Sequence, residues 1–309
     1  MFALRGIAVS LTFFVLVYCL LSALAALSWR WLRWLRASER DLADILFFCR
    51  VFPLLASIIV TVAFVIPSFQ LLEPRSTDEG VGTMPTALGL AALLLIAWGC
   101  CRVVSAQIHT SRAVSRWLAG SPPLGKGAQT VAFRSRRDAP PLILTGTRKP
   151  RVLVSEAAVE VLTTDELEVA IGHELAHIRS CDNLKKLVFR FCPFPGMVAL
   201  ETAWSQAAEL TADDDAVRDV NDALNLAAAL VKLSRLITAE PACTVGFVSG
   251  SLNERVNRLL RWEESRTVRR PRVFRWAAMP SLLAAAFGAF MVYGPSLAMT
   301  HELTEWLVR

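Results

Sequence analysis

His173, Glu174 and His177 stand in the order His-Glu-Leu-Ala-His. On an α-helix, positions i and i+4 share a face, so the two imidazoles can turn toward one metal ion. Glu174 follows the first imidazole. It can lie beside that ion without ligating it and act as a base on a water whose pKa the metal has lowered to about 7. The pattern offers two ligands and a general base for metal-assisted hydrolysis, and zinc suits such donors.

A catalytic zinc takes a third protein ligand and keeps one position open. Glu209 and Asp213 are four residues apart in a helical stretch, 201–220, and share a face of it. Ala207, Ala208 and Ala212 around them would let that helix approach the motif helix closely. Spacing alone leaves two readings open. In one, Glu209 is the third ligand and Asp213 orients a ligating histidine from behind. In the other, the pair belongs to a solvated acidic face that Asp214 and Asp215 continue. Cys181 is also near the motif and reads as a small helix residue. An oxyanion stabiliser is expected too. Tyr18 and Tyr293 fall in apolar runs and His109 and His301 lie next to such runs, which leaves Arg255 as a weak candidate against a surface salt bridge.

The motif needs a helix to carry it. Thr163 and Glu166 form a Thr-x-x-Glu capping box, and Asp165 suits the positive end of a helix. Leu167, Ile171, Leu175 and Ile178 recur at helical spacing toward a core, with Gly172 as a small residue for close packing. Before it, Thr130–Phe133, Leu142–Thr145 and Arg151–Ser155 read as strands of a small sheet, with residues 146–150 as a turn. An edge strand there would either hold an extended substrate by strand addition or be structural only. After the motif, 183–192 continues helically to Pro193 and Pro195. Phe189, Phe191, Phe194 and Met197 gather there and read as domain core rather than a membrane-dipping surface. Residues 221–240 and 251–264 read as two more amphipathic helices.

The whole chain is more apolar than an ordinary soluble protein: 54% of its 309 residues are hydrophobic and its mean hydropathy is +0.44. Four uncharged runs, 6–29, 51–72, 81–101 and 276–300, are long enough to cross a bilayer. In the third, Gly82, Thr83 and Pro85 put the helix start near Thr86, and Pro53 and Pro67 sit near the ends of the second. The first carries Arg5 and an Ala-Leu-Ala that resembles a cleavage site, but Arg30, Arg33, Arg36 and Arg40 follow at once and favour an uncleaved anchor.

Arginines also crowd 102–116 and 266–275, whereas 73–84 holds Arg75 against Glu73, Asp78 and Glu79. The positive-inside rule then places both termini outside and 102–275 in the cytoplasm, with Trp29, Trp31, Trp34 and Trp276 as an interfacial belt. The resulting organisation is a three-span region at 1–106, a cytoplasmic α+β zinc domain at 107–270, and a fourth span with a short external tail at 271–309. The net charge of +6 is accounted for by arginines beside spans, and no nucleic-acid-binding motif is present. Seven cysteines without paired spacing suit reduced thiols.

His-Glu-Leu-Ala-His-Ile-Arg at 173–179, Asp-Asn-Leu at 182–184, and the Glu209 to Val217 stretch resemble the BlaR/MecR-type membrane metallopeptidases. Pro-Arg-Val-Leu-Val at 150–154 and Leu252-x-x-Arg255-Val256-x-x-Leu259 fit the same pattern, so the resemblance covers roughly 40–265. It implies a zincin-like domain between the third and fourth spans of a multi-pass protein of the bacterial plasma membrane. It favours Glu209 as third zinc ligand and Asp213 behind a histidine. It implies proteolysis that relieves repression by a small winged-helix repressor. Only His301–Arg309 follows the fourth run where the best-known members carry an extracellular penicillin-binding sensor domain, so β-lactam sensing is not expected. The alternatives are a quality-control protease of the HtpX type, which shares the zinc motif, and a non-catalytic transducer that binds zinc structurally. The intact Glu174 speaks against the transducer.

Overall fold

The computed structural model describes residues 2–32, 37–74, 82–118, 132–137, 139–146, 150–236, 245–262 and 293–308. They form two compact units, one from Met1–Val103, Val188–Ala203 and Pro271–Arg309, the other from Val104–Leu187 and Trp204–Arg270.

The first unit is built on three helical stretches long and apolar enough to cross a membrane, Phe2–Leu32, Glu39–Leu72 and Thr83–Trp117. Helices suit that role because each satisfies its own backbone hydrogen bonds. Helix α1 is Phe2–Leu32. The second stretch starts well before the apolar run at 51, because Ser38 caps Asp41 N and Glu39 and Asp41 occupy the first turn of α2, Glu39–Val60. Pro53 therefore lies inside α2 rather than near its end. A π-helical turn, Thr61–Val65, joins α2 to α3, Ile66–Leu72. Pro67 has no N–H to give the carbonyl four residues back, Ala63 O, and Tyr293 Oη donates to that oxygen at 2.8 Å instead.

Helix α4 runs Thr83–Leu118, so it begins at Thr83 and not near Thr86. Pro85 falls in its first turn, where a missing N–H costs nothing. Leu88, Ala92 and Leu95 of α4 pack on Leu11, Phe14 and Val15 of α1. At Gly99 of α4 a Cβ would sit 2.3 Å from Phe191 O, so only glycine admits this approach.

The first unit also holds residues 188–203. Arg50, buried in α2, donates to Glu201 Oε1 at 2.8 Å and to the carbonyls of Phe189 and Cys192. Phe189 packs on Phe47 and Phe194 on Tyr18, while Tyr18 Oη donates to Pro193 O at 3.1 Å. Of the aromatic cluster expected in the peptidase core, Phe189 thus packs on α2 and Phe194 on α1. Trp31 is exposed, whereas Trp29 is buried in the helix packing; Trp34 and Trp276 lie outside the described residues. Of the fourth apolar run only 293–300 is described, within the last helix, Tyr293–Val308, α11 here. Six cysteines are free thiols, and Cys243 lies outside the described residues.

The second unit contains a three-stranded sheet in the order β1-β3-β2. The strands are β1 Ala132–Ser135, β2 Leu142–Thr145 and β3 Arg151–Ser155. The first was expected at 130–133, of which 130 and 131 lie outside the described residues. β1 runs parallel and β2 antiparallel to the central β3. Gly146, at φ 85°, leaves β2 in the left-handed region that glycine adopts freely. Val152 and Val154 are fully buried and form a core with Ala158, against which Leu167, Ile171 and Ile178 pack. Burying one such valine contributes on the order of 1.5–3 kcal/mol.

Helix α5, Glu156–Val161, leads to the motif helix α6, Thr164–Arg179. Thr163 and Glu166 make both bonds of the capping box. Lys232 binds both oxygens of Glu166, at 2.8 and 2.7 Å, and fixes the N-terminus of α6 to helix α9, Val220–Leu236. A Cβ at Gly172 would only touch Ala216 Cβ at 4.0 Å, so close packing does not explain that glycine. Cys181, with φ 56°, breaks the chain between α6 and α7, Asp182–Phe191, where one continuous helix was expected. Helix α8 spans Val198–Ala216 and α10 Val245–Leu260. Val169, Ala216, Val217, Leu226 and Leu259 form the second core between α6, α8, α9 and α10.

Candidate metal centre and active site

Helix α6 presents His173 and His177 on one buried face, and α8 brings Glu209 to them. One donor atom from each of these three residues lies within 4.8 Å of the others. His173 Nε2 and His177 Nε2 are 3.1 Å apart, His173 Nε2 is 3.4 Å from Glu209 Oε2, and His177 Nε2 is 3.6 Å from Glu209 Oε1. Ligands about 2.0–2.1 Å from a tetrahedral zinc are spaced about 3.4 Å apart, so these separations fit one ion. Among the described residues this is the His/Cys/Asp/Glu group able to hold a metal. Cys181 is exposed at the end of the turn and is not part of it.

Each imidazole has a carboxylate behind it. Asp182 Oδ2 lies 2.7 Å from His177 Nδ1. Asp213 Oδ1 lies 3.0 Å from His173 Nδ1, within ion-pair range although not aligned as a hydrogen bond. Both contacts leave Nε2 for the metal side. Burial alone would lower the pKa of each histidine, but the carboxylates outweigh it. Asp213 and Glu209 raise His173, and Asp182 with Glu209 and Glu174 raises His177 to about 10. Burial would likewise raise Glu209 and Asp213, yet the histidines and Arg255 hold both carboxyls below their ordinary values. A site that concentrates anionic groups on two imidazoles in this way favours a cation.

Arg255 of α10 supplies the cation already in place. Its Nε and Nη2 donate to Asp213 at 2.8 and 2.7 Å, and its Nη1 donates to Glu209 Oε2 at 2.9 Å. Its side chain is 13% exposed and all three nitrogens are engaged, so the ion pair is buried rather than on the surface. His109 is exposed on α4, and His301 lies 3.9 Å from Glu73 in the other unit.

A cavity of about 180 Å³ opens on the centre, with Glu174, both histidines and Glu209 in its wall. Leu142, Ile143 and Leu144 of β2 line another side, and Asp182, Asn183 and Lys186 of α7 complete it. Asn183 Nδ2 donates to Leu144 O at 3.3 Å and Gly146 O at 3.2 Å, which ties α7 to the end of β2. Sequence reasoning gave no role to Asp182, Asn183 or Lys186, and it did not pair Arg255 with Asp213 and Glu209. The available signal was the Cys-Asp-Asn run just beyond the motif helix, since aspartate and asparagine favour the start of a new helix.

Such a centre, with Glu174 and residues of β2 in the wall of the same cavity, is suited to metal-assisted hydrolysis. Residues 143–200 match the model of Peptidase family M48. The matched stretch runs from β2 into the start of α8. It contains His173, Glu174, His177 and Asp182 and stops before Glu209, Asp213 and Arg255. Together with the three apolar helices it supports a membrane metallopeptidase. No curated protein and no solved structure matches the chain.

Proposed function

We propose that this chain is a membrane zinc endopeptidase that uses His173, His177 and Glu209 as ligands and Glu174 as general base and acid. The observation that carries the reading is the convergence of two Nε2 atoms and a carboxylate at tetrahedral-zinc spacing, in a cavity that Glu174 also lines. Zinc, when bound, supplies a Lewis acid for the scissile carbonyl and acidifies water. Glu174 takes the proton of the attacking water and delivers it to the leaving amine, so one water is consumed per peptide bond broken. Asp182 and Asp213 hold the imidazoles in the tautomer that leaves Nε2 for the metal, and Arg255 keeps Asp213 and Glu209 ionised and in position.

The biological role we infer is signalling by proteolysis at the bacterial plasma membrane, with the peptidase unit in the cytoplasm and a small winged-helix repressor as substrate. The support is the resemblance of the metal-site stretches to the BlaR/MecR-type peptidases and the distribution of arginines around the apolar runs. Quality control of membrane proteins is the competing role. The deciding experiment compares wild type with Glu174→Gln for cleavage of a co-expressed candidate repressor, with zinc measured in both. The variant should keep about one zinc per chain and lose about 10²- to 10⁴-fold in cleavage rate. A variant that keeps zinc and still relieves repression fully would overturn the hydrolytic reading in favour of a binding-only transducer. Cleavage of misfolded membrane proteins but of no repressor would favour quality control.

A further inference from the structure

Lys186 stands apart from the other ionised groups of the cleft. Asp182, Asn183 and Lys186 lie on one face of α7 and all three line the cavity. Asp182 is occupied by His177 and, at 3.7 Å, by its neighbour Lys185. Asn183 is occupied by the backbone at the end of β2. Glu209 is occupied by Arg255. Lys186 is exposed and, among the described residues, has no ion-pair or hydrogen-bond partner. Among the cavity's lining residues, which include Glu174, Asp182 and Glu209, it is the one lysine or arginine.

The position of Lys186 relative to β2 gives this a direction. β2 pairs only with β3, so among the described residues its other edge is unpartnered, and its residues 142–144 line the cavity. A peptide laid along that edge has its backbone held by the strand and alternate side chains turned aside. Asn183 binds the last residues of β2, so α7 and Lys186 flank the end of such a peptide rather than its middle. Away from the metal centre, Lys186 is the lining side chain that attracts a peptide carboxylate, and holding it there fixes the register of the scissile bond.

We propose that Lys186 is a specificity-determining residue that binds a carboxylate of the polypeptide substrate, at one position to one side of the scissile bond. The inference rests on the peptidase reading above. The carboxylate is either an acidic side chain or a chain terminus, and the test separates these sources. It uses the full chain in detergent and a fluorogenic peptide of uncharged residues. One set carries a single Glu, Gln or Lys moved stepwise along both sides of the cleavage point, and a second set ends in a free acid or an amide.

At one position Glu should raise kcat/KM over Gln by about threefold to tenfold, through KM rather than kcat, and the gain should shrink with added salt. If the terminus is the source, free acid should beat amide instead. Lys186→Met should erase the preference, and Lys186→Glu should make Lys the preferred residue. The same peptides are titrated by fluorescence anisotropy onto Glu174→Gln protein, where the same order of affinities is expected. No preference for any carboxylate, or a preference that survives Lys186→Met, overturns the proposal. A wild type that cleaves nothing while the anisotropy order holds counts against the peptidase reading and not against Lys186.

Discussion

Asp182 is the residue whose removal best separates a metal centre from a buried pair of histidines. It touches His177 Nδ1 at 2.7 Å and no metal donor is lost with it. Asp182→Asn should keep the fold and weaken zinc binding by about 10- to 100-fold, read by competition with a chelator of known affinity. Unchanged affinity would show that His177 is oriented by something else. Arg255→Met should do more than lower metal affinity, because it leaves Asp213 and Glu209 buried without their cation, and thermal stability of the metal-free protein should fall as well. His173, Glu174 and His177 were legible in the sequence because helix geometry ties residue spacing to ligand geometry. Glu209 and Asp213 were legible as a pair on one face, and the structure brings both to the histidines. Asp182 was not legible as a partner of His177, since their contact depends on the left-handed turn at Cys181. Arg255 was not legible either, since sequence separation hides a bond from α10 to α8.

Elements were legible where local chemistry decides them. The capping box at Thr163 and Glu166 fixed the start of α6, and Gly and Pro around 146–150 separated β2 from β3. They were less legible where tertiary context overrides propensity. Pro53 sits inside a helix, and Pro67 is tolerated because Tyr293 reaches Ala63 O across the helix packing. Two predictions belong here. Burial works to raise the Glu166 carboxyl, but Lys232 and the Thr163 backbone N–H outweigh it and hold the pKa below the ordinary 4.5. A depressed carboxylate contributes stability above its unfolded pKa and loses it as pH falls through the folded one. Glu166→Gln should therefore lower stability at neutral pH and flatten its loss below about pH 4.5, measured by thermal melts across pH. An unflattened acid limb would remove Glu166 from the account. Gly99→Ala should also destabilise the first unit, because its Cβ would meet the backbone oxygen of Phe191 rather than a side chain able to move.

At the scale of the molecule, contacts within the first unit group its helix ends into two sets. Arg5 near the start of α1 pairs with Glu73 just past α3 at 3.0 Å, and Thr12 Oγ1 donates to Pro85 O in the first turn of α4 at 3.1 Å. His301 in α11 lies 3.9 Å from Glu73. The start of α1, Glu73, the first turn of α4 and residue 301 therefore gather at one end of the unit, while Leu32 ends α1 at the other. Packing sets this alternation but not its sign. By the positive-inside rule charge is expected to set the sign: Arg30, Arg33, Arg36 and Arg40 stand between α1 and α2 or at their ends in the sequence, and Glu73, Asp78 and Glu79 outnumber Arg75 between α3 and α4. Reporter fusions after Ala37, Thr77, Gly127 and Arg309 should read inside, outside, inside and outside. Replacing the four arginines between 30 and 40 with glutamine should blur that pattern, because the electrostatic bias on insertion goes with them. An outside signal at Gly127 would put Glu174 and both histidines beyond reach of any cytoplasmic repressor. The signalling role would then fail while the zinc chemistry stood, and substrates would have to be sought among proteins outside the membrane.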